Sequence, residues 1–246
     1  MSKYSLNSVS YEIVEQTGST NTDLLERIRK HGLKTIVARQ ALIQTQGRGT
    51  RGRVWDSHGD CLMFSVALPI GNDLRRIKGV TLAIGAFIAL ALRERSVPAR
   101  VKWPNDILLF DQKLAGILVE TAKGPNRDYG LVVGIGLNLK KRNSAYAALS
   151  DSIRESEIEK TNWMEVFTQC IIEAVSEVMN NGLGRIQLLW DTIAAYKNQR
   201  VRITEENQQP YEAVVVGIDE NGSLLVQCDS ETKTLVSGMV RIQYKK

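Results

Sequence analysis

The chain has 246 residues, 43% hydrophobic and 24% charged, with 32 lysines and arginines against 27 aspartates and glutamates, a net charge of +5. That describes a globular protein long enough for one large domain, or a medium one with a small companion. The excess charge lies before residue 198, because residues 198–246 hold 6 basic and 7 acidic side chains; so mild a bias suits small anionic ligands better than a nucleic acid. Cys61, Cys170 and Cys228 are too scattered for a metal site or a disulfide framework and fit a reducing, cytoplasmic setting. The first residues, Met1 to Gln16, lack the apolar stretch of a signal peptide. The longest apolar run, Val80–Leu92, is too short to span a bilayer, so no membrane partner is expected.

In chain order, Thr20 and Asp23 match a capping box ahead of Leu24, Leu25 and Ile28, which predicts a helix over 20–31 closed near Gly32. Residues 35–44 and 61–68 read as strands. Residues 73–95 read as one long helix, apolar through its middle. Strands follow at 99–103, 107–110, 113–121 and 130–139, with Asp111-Gln112 as a tight hairpin turn. Their Val, Ile and Leu content predicts a sheet buried against helices. Residues 140–160 are polar and aperiodic, which predicts a long functional loop. Helices are expected at 161–181, capped by Gly182, and at 185–197. Beyond residue 198 the pattern is short strands at 201–204, 211–218, 223–227, 233–236 and 239–242, with Asn221-Gly222 as a hairpin turn. Short strands in such close succession predict a small barrel, and a domain boundary near residue 198.

The stretch Gly47-Arg48-Gly49-Thr50-Arg51-Gly52-Arg53 combines glycines, which let a backbone approach a ligand, with arginines, which carry a fixed fork of donors. It formally matches G-x-G-x-x-G. That fingerprint needs a helix to open directly behind it, and here Val54-Trp55-Asp56-Ser57-His58-Gly59 lead into a strand. A dinucleotide fold is therefore rejected. A flexible surface turn, an anion clamp that orders on its ligand, and an RNA-binding loop remain open for this stretch. Trp103-Pro104-Asn105-Asp106 turns the chain at a strand end, since proline keeps the residue before it extended. Asp106 and Lys113 flank a hairpin and are expected at one edge of the sheet. Gly134 and Gly136 mark either a bulge or a close approach to a ligand.

Ser19-Thr20-Asn21, Gln44, the 47–53 loop, Lys102-Trp103-Pro104-Asn105-Asp106, Lys113-Leu114-Ala115-Gly116-Ile117-Leu118-Val119-Glu120 and Gly134-Ile135-Gly136-Leu137-Asn138 stand in an order and spacing that resembles the biotin protein ligases. The resemblance implies an α/β (α+β) fold: a mixed-sheet catalytic domain over 1–197, similar to biotin and lipoate ligases, and a small SH3-like β-barrel over 198–246. It implies ATP and biotin as substrates, with Mg²⁺, and no protein residue assigned as a metal ligand. Biotin would be activated as biotinyl-5′-AMP and transferred to a lysine of the biotin carboxyl carrier protein of acetyl-CoA carboxylase.

By the same resemblance Lys113, Asp106 and Arg48 are the catalytic candidates. Ser19, Thr20, Asn21, Gln44, Gly47, Arg48, Gly49, Thr50, Trp55, Lys113 and Gly116 are expected at biotin. Arg48, Arg51, Lys102, Asn105, Lys113 and Asn138 are expected at ATP or the adenylate. Thr50 departs from the family loop, which commonly carries arginine there; looser retention of the adenylate is the expectation. Some members carry an N-terminal DNA-binding domain, and Ser19 lies too near Met1 for one, so no operator binding is expected. Some members pair through their catalytic sheets and others are monomeric, which leaves a homodimer open. A lipoate or octanoate ligase is the alternative enzyme, and a nucleic-acid-binding module using the arginine-rich loop the alternative from another class.

Overall fold

The computed structural model describes residues 9–55, 60–141, 145–205, 209–229, 231–236 and 240–244, with the side chains of Arg51 and of 240–244 outside the description. Two sheets organise the chain. The larger has seven strands in the order β1-β2-β3-β7-β6-β5-β4: Val9–Thr17, Ile36–Gln44, Cys61–Gly71, Tyr129–Asn138, Gln112–Lys123, Asp106–Leu109 and Arg100–Lys102. Only β1 and β2 run parallel; each other neighbouring pair is antiparallel. Helix α1 (Thr20–His31) crosses one face, where Leu24, Leu25 and Ile28 pack on Val37, Ala67, Ala122 and Val132. The opposite face is covered by α2 (Val80–Arg93), α4 (Trp163–Asn181) and α5 (Gly184–Ile193) in a continuous apolar core. Among the described residues no helix is long and apolar enough to cross a membrane.

Several expectations are corrected. Residues 73–95 are not one helix: a 3₁₀ turn at Leu74–Ile77 is followed by Gly79 at φ 71°, and α2 starts after it. A side chain at Gly79 would lie 2.2 Å from Leu183 and 3.1 Å from the Asn221 carbonyl, so the break is where the C-terminal hairpin docks. The β5–β6 turn is Phe110-Asp111, both at positive φ, one residue earlier than expected. Residues 140–160 are not one long loop. They hold a 3₁₀ turn at Leu149–Asp151 and helix α3 (Glu155–Lys160), whose Glu157 carboxylate accepts from the Arg154 N–H. The last helix stops at Ile193, because Ala194 pairs with Val101 and the Ala195 N–H donates to the Val101 carbonyl. Strand β1 was not expected at all.

The smaller sheet has five antiparallel strands in the order β11-β10-β9-β8-β12: Glu231–Leu235, Leu224–Cys228, Tyr211–Ile218, Arg200–Glu205 and Val240–Tyr244. Alternate residues such as Val201, Ile203, Ala213, Val215, Leu224 and Val226 are buried, as period-2 patterning requires. Its Asn221-Gly222 turn returns to the larger sheet, where the Trp103 indole N–H donates to the Gly222 carbonyl at 2.9 Å. Trp103→Phe keeps an aromatic ring, though a smaller one, and deletes this donor, stranding a part-buried carbonyl. The expected loss is about 1–2 kcal/mol, roughly 2–8 °C in Tm for a chain of this size. Thermal unfolding checks it, and an unchanged Tm would count against the contact.

Candidate active site

On strand β7, Gly130, Val132, Gly134 and Gly136 point to the face that α1 covers. A side chain at Gly130 would meet Ile28 at 2.6 Å, and one at Gly134 would meet the Asn21 Oδ1 at 2.3 Å. At Gly136 it would meet the Trp55 ring at 2.2 Å. The glycines thus mark close approach, by side chains laid on the strand, and not a bulge, since β7 pairs in register through 130–137 with both β3 and β6. Past the N-terminus of α1 this glycine surface is left open, and the cavity forms there.

A bulge does occur one strand away. Ile107 pairs with Ala115 and Leu108 with Lys113, so Leu114 is an extra residue on β6. Strict alternation would put Lys113 on the core side with Ala115 and Ile117. The bulge turns it to the cavity side with Gly116, in keeping with how bulges re-aim side chains. Lys113 Nζ then sits 2.6 Å from Asp106 Oδ1, and 5.2 Å from the centre of the Trp55 ring. Trp55 Nε1 is buried with no hydrogen-bond partner among the described residues.

The opposite end of the cavity is polar. Ser19, Thr20 and Asn21 are buried at the start of α1. The Thr20 N–H donates to Gln44 Oε1 at 2.8 Å, and the Thr20 hydroxyl lies 2.7 Å from Ser65 Oγ. Ser65 donates to Asn21 Oδ1 at 2.5 Å. Asn21 Nδ2 donates to Glu120 Oε2 at 3.0 Å, and Arg48 Nη2 donates to Glu120 Oε1 at 2.8 Å. A single run of hydrogen bonds therefore joins the cavity's polar floor to the arginine loop.

That loop closes on itself as a short hairpin. The Trp55 N–H donates to the Gly47 carbonyl at 2.9 Å and the Gly49 N–H to the Arg53 carbonyl at 2.7 Å. A side chain at Gly47 would lie 2.8 Å from the Trp55 carbonyl, which is why glycine stands there. Gly52, at φ 69°, is in the tip. Arg53 donates to the Thr50 carbonyl at 3.4 Å and to its hydroxyl at 3.5 Å.

The cavity is about 300 Å³ and is walled by Ser19, Thr20, Asn21 and Gln44 at one end. Arg48, Gly49, Thr50 and Trp55 wall it on the loop side, and Asn105, Asp106, Lys113, Gly116 and Asn138 on the sheet side. Of the expected residues, Gly47 and Lys102 do not line it, and the Arg51 side chain lies outside the described residues. Ser65, Lys140 and Tyr146 line it and were not expected. Ser65 left one signal in the sequence, a lone hydroxyl inside the apolar run 61–68.

Asn105 Nδ2 donates to the Ile117 carbonyl at 3.0 Å and is spent on β6. Asn138 Nδ2 donates to the carbonyls of Lys113 at 3.3 Å and Ala147 at 2.9 Å, tying residues 145–148 to the strands. Burial pushes the Lys102 ammonium below the usual lysine value, and the nearby charges of Lys113 and Arg53 lower it further against the opposing pull of Asp106. A base depressed in the folded state binds fewer protons there than when unfolded. Its presence therefore costs stability at low pH, and the cost fades as pH rises from its lowered pKa towards 10.5. Lys102→Met should accordingly be the more stable protein at neutral pH, with wild type catching up as pH approaches 10.5. Urea unfolding of both proteins across that range checks it; a difference constant with pH would refute it.

Residues 13–138 match the biotin/lipoate A/B protein ligase family, and residues 197–241 match the biotin protein ligase C-terminal domain. The bifunctional ligase/repressor BirA of Escherichia coli is 29% identical over 97% of this chain and 75% of its own length. The biotin–[acetyl-CoA-carboxylase] ligase of Mycobacterium tuberculosis is 28% identical over 93% of this chain and 87% of its own. In fold the chain is similar to the biotin protein ligase of Aquifex aeolicus in complex with biotin and ATP, at 23% identity, with a TM-score of 0.76 over 98% of this chain and all of the other. The chain belongs to the biotin/lipoate A/B protein ligase family, and within it to the biotin protein ligases.

Proposed function

We propose that the cavity joins biotin to AMP and passes the biotinyl group to a lysine of the biotin carboxyl carrier protein of acetyl-CoA carboxylase. One observation carries the reading. The Lys113 ammonium stands between a buried hydroxyl-and-amide end and an arginine loop, 2.6 Å from Asp106.

The first step brings two anions together. A biotin carboxylate oxygen bonds to the α-phosphorus of ATP while the bond to the β-phosphate oxygen breaks and pyrophosphate leaves. Lys113, Arg48 and Arg51 supply the positive charge that makes the approach tolerable and that stabilises the charge developing at phosphorus. Ser19, Thr20 and Gln44 hydrogen-bond the ureido ring, with Asn21 holding them in place through Ser65. Trp55 closes the cavity over the Gly116 and Gly136 backbone. Asn138, whose Nδ2 is held by the Lys113 and Ala147 carbonyls, has its Oδ1 to offer the exocyclic amine of adenine. Lys102 and Asn105 support the nucleotide side from behind Asp106 and Lys113. Among the described residues no three His, Cys, Asp or Glu gather to hold a metal. On this reading magnesium arrives with the substrate as MgATP, held largely by its phosphates and water.

In the second step the acceptor lysine nitrogen bonds to the acyl carbon, the bond to the phosphate oxygen breaks, and AMP leaves. Asp106 is the group to orient that amine and take its proton, once Lys113 turns to the substrate oxygens. Thr50 adds no cation of its own to the loop, and its oxygens receive Arg53. Thr50→Arg should therefore slow release of the adenylate, which quenched-flow or filter-retention assays follow; equal release rates would sink the idea.

ATP–pyrophosphate exchange tests the activity, with biotin and lipoate run side by side. Exchange with biotin alone supports the proposal, and transfer to the carrier protein's lysine completes it. Exchange with lipoate alone moves the chain to the family's other substrate. Exchange with neither refutes the adenylation step.

A further inference from the structure

Glu120 has no assigned role, yet it lies where the polar floor and the arginine loop meet. Its two carboxylate oxygens are divided between them: Oε1 accepts from Arg48 Nη2 at 2.8 Å, Oε2 from Asn21 Nδ2 at 3.0 Å. Both neighbours present donors only. Asn21 cannot turn its amide over, because its Oδ1 already accepts from Ser65 at 2.5 Å. An ionised carboxylate has acceptors on both ends and no donor, and no other side chain of this length has that property. Arg48 also reaches the Thr22 hydroxyl through Nη1 at 3.4 Å, and it lines the cavity, so the guanidinium is held at the cavity wall by two contacts.

We propose that Glu120 is a positioning residue: it tethers Arg48 to the cavity floor before any ligand arrives, so that an incoming carboxylate meets a guanidinium already aimed. The inference rests on the ligase reading for the identity of that carboxylate, as biotin. The tether stabilises binding by removing freedom that Arg48 would otherwise lose at the moment of binding.

Glu120→Gln is the sharp probe, because it preserves shape and replaces one acceptor by a donor. One end of the glutamine must then face a donor, and either the Arg48 or the Asn21 contact breaks. Biotin affinity is measured by calorimetry on the full chain in wild type, Glu120→Gln, Arg48→Ala and the double variant. The single Glu120→Gln change should weaken biotin about tenfold, the scale of one hydrogen bond to a charged group. In the Arg48→Ala background it should weaken it less than about twofold, since partners in one network do not add. The same factor in both backgrounds would overturn the proposal.

A second readout needs no ligand. Trypsin should cut after Arg48, Arg51 or Arg53 faster in Glu120→Gln than in wild type, with cleavage elsewhere unchanged. Equal rates at the loop, or faster cleavage everywhere, would overturn the tether. If wild type binds no biotin, the ligase reading falls, and the digest still decides whether Glu120 holds the loop.

Discussion

Lys113→Ala is expected to lower biotin-dependent ATP–pyrophosphate exchange by about 10²–10³-fold, the scale found when one preorganised electrostatic donor is removed from an active site. Two effects add. On the proposed mechanism, the reacting carboxylate and phosphate lose the cation between them. The Asp106 carboxylate, 2.6 Å from Lys113 Nζ in the wild type, is left without its partner beside arriving anions. The second effect is separable. Adding Asp106→Asn to Lys113→Ala removes the stranded charge and should recover part of the loss in exchange, while transfer to the carrier lysine stays poor. Single-turnover measurement of each half-reaction distinguishes the two. A loss of only about twofold in Lys113→Ala would remove Lys113 from the reacting centre, since such a change is far below the electrostatic scale.

Gly136→Ala is expected to be nearly as damaging to binding, for a steric reason. The added carbon would stand 2.2 Å from Trp55 Cε2 and 2.4 Å from Cζ2. The strand cannot yield, because Gly136 is paired on one side with Met63 and on the other with Gly116. Trp55 must therefore leave, and with it go the cover over the cavity and the ring 5.2 Å from Lys113. Lost burial of an indole and a lost cation–π contact together predict about 10–100-fold weaker biotin binding. The sheet pairing survives, so Tm should move little. Trp55→Ala in the same background should cost nothing further. Retained affinity in Gly136→Ala would show that Trp55 does not close the site.

The sequence exposed some of this and hid the rest for identifiable reasons. Helix α1, the β6–β7 strands and the short strands after residue 198 carry clear periodicity, and each appeared within a few residues of its expected place. The capping box of Thr20 and Asp23 did not form, because Ser19 is the N-cap without a side-chain bond, the Thr20 hydroxyl turns to Gln44 and Ser65, and Asp23 accepts from Thr17 and Arg39. Strand β1 is an edge strand with most residues exposed or half-exposed, so its pattern lacks the apolar alternation that announces a strand. The face of Lys113 was not legible, because one extra residue at Leu114 reverses the alternation and no local signal marks a bulge. Gly134 and Gly136 were noticed, but what approaches them, Asn21 and Trp55, comes from segments about a hundred residues away. Ser65 and Glu120 are ordinary residues in strands. Their importance lies in who their neighbours are, and only the fold decides that.

One contact also bears on the order in which the molecule matures on the ribosome. Every described residue that walls the cavity lies between Ser19 and Ala148, so these side chains are all synthesised while about two-fifths of the chain is still to come. Yet the strand beside them, β4, obtains its outer partner only from Ala194 and Ala195, and the Trp103 indole its acceptor only from Gly222. A nascent chain would thus hold the walls of the pocket with one flank unsupported. Completion of that flank waits for Ala194, Ala195 and Gly222 to emerge, so a translation product truncated before them is expected to be a poor enzyme even when it contains every wall of the cavity.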